Sequence, residues 1–190
     1  MKQLLAILCF LLLSATLSTP ASAKEHPAPV DSSRVTSPDN HIIPYQRIGA
    51  IRLSMGMDEV QGLLGKPTGW ISGDAAHNIG ATWNYGDLNL QIGFDSGAAP
   101  IVTSIRAYAF VRGKTKTLGN LYWKDIAPVK VAFQTTNGIT LGSSAFDVRR
   151  AYGNQFKDWS GIVMGYNSLG LTFSITMDHV VWAIGVSAPQ

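Results

Sequence analysis

The sequence predicts an α+β fold of two tandem units, each a short helix packed on an antiparallel β-meander. Three observations lead there. A stretch in the first half recurs in the second at an offset of 88 residues. After each copy, apolar and polar residues alternate with the period of a half-buried strand. The composition, 46% hydrophobic and 14% charged with 19 Gly, suits a packed core and not a disordered chain.

The elements follow in order. Residues 1–23 have the layout of a secretory signal peptide: Lys2 as a positive n-region, Leu4 to Leu13 as an apolar run, and Ala21-Ser22-Ala23 as a cleavage site. The apolar run falls well short of the ~20 residues that span a bilayer, so no transmembrane segment is expected. Cleavage near Ala23 places the protein in the periplasm or outside the cell and removes Cys9, the only cysteine, together with Lys2. The exported chain is then cysteine-free, and its stability has to come from packing rather than disulfides. Its net charge of about +2, together with export, argues against a nucleic-acid partner. Residues 24–41, with Pro27, Pro29 and Pro38, read as a flexible leader.

The first unit is expected over residues 42–113, a connector over 114–128 and the second unit over 129–190. Ile51, Leu53, Glu59, Val60 and Gly65 match Ile139, Leu141, Asp147, Val148 and Gly153 at the common offset. Each copy reads as an extended lead-in followed by a helix of about two turns. In the second, Ser144 is a good N-cap with Asp147 three residues on; in the first, Gly56 and Glu59 take those places. Val60, Leu63 and Leu64 make one apolar face, as do Val148, Ala151 and Tyr152. Gly65 and Gly153 stand where a left-handed C′ residue belongs, and Pro67 forbids continuation of the first helix. Three strands then follow in each copy: Ala81 to Tyr85, Leu88 to Phe94 and Ile101 to Ala109, then Ile162 to Tyr166, Leu169 to Met177 and Val180 to Val186. The lead-in is a possible fourth.

The phrase Ile48-Gly49-Ala50-Ile51-Arg52-Leu53-Ser54-Met55, then Val60, Leu63-Leu64-Gly65-Lys66-Pro67 and Trp83-Asn84-Tyr85, resembles the superfamily that includes the outer-membrane assembly lipoprotein BamE and the β-lactamase inhibitor protein. Two copies in one chain are more similar to the inhibitor protein, a tandem of such units, and to secreted bacterial proteins with the same double pattern. The resemblance covers residues 42 to 190 and implies a fold. It transfers no residue role, because its motif is a helix start and a sheet, and Ser54 and Gly56 reverse the usual order of small residues.

Among residues that carry chemistry, His26, His41, His77 and His179 show no metal-ligand spacing, and no cofactor or metal site is expected. The segment Gly62 to Pro67 departs from a phosphate loop at Val60 and Pro67. No Gly-x-Ser-x-Gly elbow occurs, and the exported chain has no thiol. The expected function is a non-enzymatic protein-binding module of the cell envelope, with inhibition of an envelope or extracellular hydrolase as one mode. An envelope maintenance factor and a hydrolase using loop Asp and His residues are the alternatives. The candidate partner-binding residues are the aromatics Trp83, Tyr85, Tyr108, Tyr166 and Trp182, which suit a sheet face. To these we add Arg112, Lys114, Lys116, Tyr122 and Trp123, from a mixed basic and aromatic stretch that also holds Arg106, Lys124 and Lys130 and suits an acidic partner surface, a glycan or anionic lipid headgroups.

Overall fold

The computed structural model describes residues 40–110, 121–159 and 161–189. The expected signal peptide, residues 24–39 of the leader and residues 114–120 of the connector lie outside the described residues. The leader was expected to run to residue 41, but His41 already opens strand β1 (His41–Ile43).

The chain is α+β, with two sheets and two α-helices among the described residues. A small sheet joins β1 to β2 (Arg47–Ile48), β3 (Ile51–Arg52) and β8 (Gln134–Thr135), in the order β3-β2-β1-β8. The large sheet holds β4 (Gly69–Ile71), β5 (Thr82–Tyr85), β6 (Leu90–Phe94), β7 (Val102–Tyr108), β9 (Lys157–Trp159), β10 (Val163–Tyr166), β11 (Leu171–Ile175) and β12 (Val181–Ser187). Its order, β4-β5-β6-β7-β12-β11-β10-β9, is antiparallel throughout. The seam is the pairing of β7 with β12, where Ile105 faces Val186 and Ala107 faces Ile184.

The lead-in segments do not join the large sheet. Ile51 and Arg52 pair with β2 in the small sheet, and the fourth strand of each half comes from β4 or β9, which the sequence pattern did not reveal. Both are three-residue edge strands, too short to show an alternation.

Helix α1 (Met57–Leu64) and helix α2 (Ala145–Tyr152) end as their residues dictate. At α2, the Asp147 N–H donates to Ser144 Oγ at 3.1 Å and the Ser144 N–H donates to Asp147 Oδ2 at 3.3 Å, a reciprocal capping box. Gly56 caps α1 with backbone alone, and Glu59 instead meets Arg52 at 2.9 Å. Gly65 and Gly153, at φ of +76° and +83°, turn the chain out of each helix.

Alternation along the large sheet separates its two faces. Leu90, Ile92, Ile105, Ala107, Ile184, Val186, Leu171 and Phe173 point to one side and are buried. Against them pack Val60 and Leu64 of α1, Val148 of α2, and Ile42, Ile48 and Ile51 of the small sheet, in one core. The helices and small sheet therefore cover one face only.

The two halves repeat local details. Tyr85 Oη donates to the Gly65 carbonyl at 3.1 Å, and Tyr166 Oη donates to the Gly153 carbonyl at 2.8 Å. Irregularities in register fall at Gly93/Phe94 and at Ser174/Ile175. The caps Gly56 and Ser144 form isolated antiparallel bridges to Ile101 and Val180, which lead into the last strand of each half.

Candidate functional site

The face of the large sheet turned away from the helices is polar. In register across five strands it carries Thr82 of β5, Gln91 and Gly93 of β6, Ser104 and Arg106 of β7, Gly185 and Ser187 of β12, and Thr172 of β11. At about 4.8 Å between strands, this row is about 19 Å wide. These residues line an open depression of about 280 Å³. Two glycines shape its floor. A Cβ on Gly93 would collide with Ser104 Oγ, and one on Gly185 would come to 2.5 Å from Thr172 Oγ1. Small residues thus lie beside Arg106, which stands between Gln91 and Gly185 at the sheet's centre.

Among the described residues, Arg106 is the only cation lining that depression. The surrounding protein strips enough water from its guanidinium to lower its pKa. Its side chain is still solvent-accessible, as expected of a group seated in a dip rather than covered. No carboxylate among the described residues pairs with it. Four of the described acids are paired elsewhere: Glu59 by Arg52, Asp74 by His77, Asp87 by Lys130 and Asp147 by Arg150. Asp95 accepts from the Gly97 and Ile101 N–H groups, and Asp158 from the Gly161 N–H.

Of the five sheet aromatics expected to bind a partner, four do not share this face. Tyr85 and Tyr166 are 1% and 2% exposed, and their hydroxyls hold the helix C-termini, so both are core residues and are corrected as partner contacts. Burial pushes both phenols above their ordinary range. Trp83 is half-buried on the helix side, its ring edge-on to Phe94 at 4.8 Å. Trp182 is half-buried against a second small cluster of Ala109, Leu121 and Ile126. Both pack on the side of the sheet away from the polar face and keep part of their surface exposed. Tyr108 alone lies in register with the polar face, edge-on to Phe110 at 5.0 Å.

The basic stretch is likewise divided among separate tasks. Lys130 Nζ meets Asp87 at 3.0 Å, and Lys124 Nζ lies 5.4 Å from the Tyr122 ring centroid. The Trp123 N–H donates to both Asp178 oxygens, at 2.9 and 3.1 Å, and the Met177 N–H donates to the Leu121 carbonyl. These bonds pin the connector's end to the β11–β12 turn. Burial by itself would raise the Asp178 carboxyl, but hydrogen bonds from Thr176, Trp123 and its own N–H outweigh it and hold it low. Tyr122 is exposed. Arg112, Lys114 and Lys116 lie outside the described residues.

His77 meets Asp74 at 2.6 Å on an exposed loop between β4 and β5. His179 sits at φ +60° in the β11–β12 turn, so the two imidazoles belong to separate turns. Among the described residues, no three His, Cys, Asp or Glu side chains gather as metal ligands, and no helix is long and apolar enough to cross a membrane.

Two features escaped the sequence reading as sites. In the sequence Arg106 reads as one cation of the basic stretch, although a polar residue between Ile105 and Ala107 in an alternating strand signals an outward place. Trp70 and Ile71, 67% and 63% exposed on edge strand β4, follow the helix stop at Pro67 too closely to show a pattern. No family model, no curated protein and no solved structure matches the chain.

Proposed function

We propose that the chain is an exported, non-enzymatic protein-binding module of the bacterial cell envelope that receives its partner on the polar face of the eight-stranded sheet. Inhibition of an envelope or extracellular hydrolase is the mode that suits it. The observation that carries this reading is that the helices and small sheet cover one face of the large sheet and leave the other open across five strands. A protein partner, rather than a small molecule, suits a surface that is broad and not enclosed.

We read the two halves as tandem copies of one unit, similar in arrangement to the β-lactamase inhibitor protein. The shared 88-residue offset, the paired Tyr-to-Gly hydrogen bonds and the matched register irregularities support that reading. The two meanders joined at their last strands make a sheet wider than either copy alone would offer.

The test is capture from periplasmic extract with the wild-type chain and with Ser104→Trp, which fills the depression from an exposed strand position. We expect a partner retained by the wild type and lost on Ser104→Trp. A partner held equally by both, or no partner at all, refutes the reading.

A further inference from the structure

We infer that Arg106 is the anion seat of the polar sheet face and receives an Asp or Glu carboxylate from an acidic loop of the docked protein. The inference rests on the docking face proposed above and names the chemistry of its centre.

Three facts carry it. Arg106 stands at the middle of the sheet, on the strand beside the seam, where a docked surface is most fully removed from water. It has no counter-charge among the described residues, while the acids named above are bonded elsewhere. It is flanked by the Gln91 amide and the Ser104, Thr172 and Ser187 hydroxyls, which can bond the peptide groups on either side of a carboxylate.

A guanidinium offers a planar fork that fits one carboxylate through two parallel hydrogen bonds. Gly185, opposite Arg106 in register, has no side chain to obstruct an approach from that side. The partial loss of water around Arg106, which lowers its pKa, means that an arriving anion finds part of the dehydration already accomplished. A sulfated or phosphorylated glycan is the other anionic class to weigh. It is disfavoured because polyanions are held by rows of cations, and among the described residues this depression has one.

The test pans a displayed library of cyclic peptides against the intact chain and measures the selected peptides on wild type, Arg106→Gln and Ser104→Trp, with heparin oligosaccharide as a separate probe. Thermal melts verify that each variant folds. We expect selected peptides to share an Asp or Glu, and Arg106→Gln to weaken them about tenfold to a hundredfold. Changing that acid to its amide should cost as much on wild type and almost nothing further on Arg106→Gln, the signature of a direct pair. Absence of acidic enrichment, peptides indifferent to Arg106→Gln, or heparin binding tighter than any peptide overturns the inference. Loss on Ser104→Trp with no loss on Arg106→Gln leaves the docking face standing and removes the carboxylate; indifference to both removes the face as well.

Discussion

Replacing Ile105 by Ala tests the assignment of the two sheet faces and the continuity of the sheet in one measurement. Ile105 is 1% exposed on β7, with Ile92 opposite on β6 and Val186 opposite on β12, so its side chain bridges the two halves. The change deletes three carbons, about 2.4 kcal/mol at about 0.8 kcal/mol each. The void left between flanking strands adds to this, for a total of about 3–4 kcal/mol. That is a large part of a typical stability of about 5–15 kcal/mol and lowers Tm by roughly 10 °C. Ser104→Ala, one residue away on the opposite face, should cost less than about 0.5 kcal/mol. Urea unfolding, followed in parallel by tryptophan fluorescence and far-UV circular dichroism, measures both. Because the seam is shared, the two probes should give one coincident transition. Equal costs for the two variants, or a loss in one transition while a second stays fixed, would refute the reasoning.

The remaining predictions follow from local geometry. Tyr85→Phe and Tyr166→Phe should each cost about 1 kcal/mol in urea unfolding, since each removes one hydroxyl from a helix-terminal carbonyl. Ser144→Ala should cost about 1 kcal/mol, whereas Gly56→Ser, with open space for its side chain, should gain a few tenths. The Ser144 hydroxyl first, then its N–H and Arg150, hold the Asp147 carboxyl below its ordinary value. A depressed native pKa means that this contribution is complete above the unfolded carboxylate value of about 4 and fades as pH falls through the lower native one. Thermal melts from neutral pH into acid should therefore show a smaller acid-induced loss in Asp147→Asn than in wild type. Gly80→Ala should destabilise by about 1–3 kcal/mol, because its Cβ would collide with the Phe94 carbonyl oxygen, a backbone atom that cannot swing aside; calorimetry reads the loss.

Much of this fold was legible in the residues, and the reason is local. Ser144, Asp147, Gly65 and Gly153 act through hydrogen bonds and dihedrals within a few positions of themselves, so the helix boundaries could be read from order alone. The alternation over Leu88 to Phe94 and Leu169 to Met177 marked strands and their inner faces for the same reason. The strands themselves begin two residues later, at Leu90 and Leu171, because a 3-10 turn takes Gly86–Leu88 and Asn167–Leu169, and the second ends at Ile175. The placement of the aromatics could not be read that way. Tyr85 and Tyr108 look alike in sequence, each ending a strand, yet one holds a helix terminus and the other lies in register with the polar face. Only the register across neighbouring strands separates them.

By itself the sequence determined the α+β class, the caps and the alternating strands, all consequences of periodicity and short-range bonding. The tertiary structure decided that β7 and β12 join the two halves into one sheet, that the lead-in segments leave it, and that Arg106 stands at its centre with no carboxylate partner among the described residues. Those outcomes depend on contacts between residues about 80 positions apart, as between Ile105 and Val186. Such pairings are selected by burying one whole face of the sheet at once, a choice that no local pattern contains.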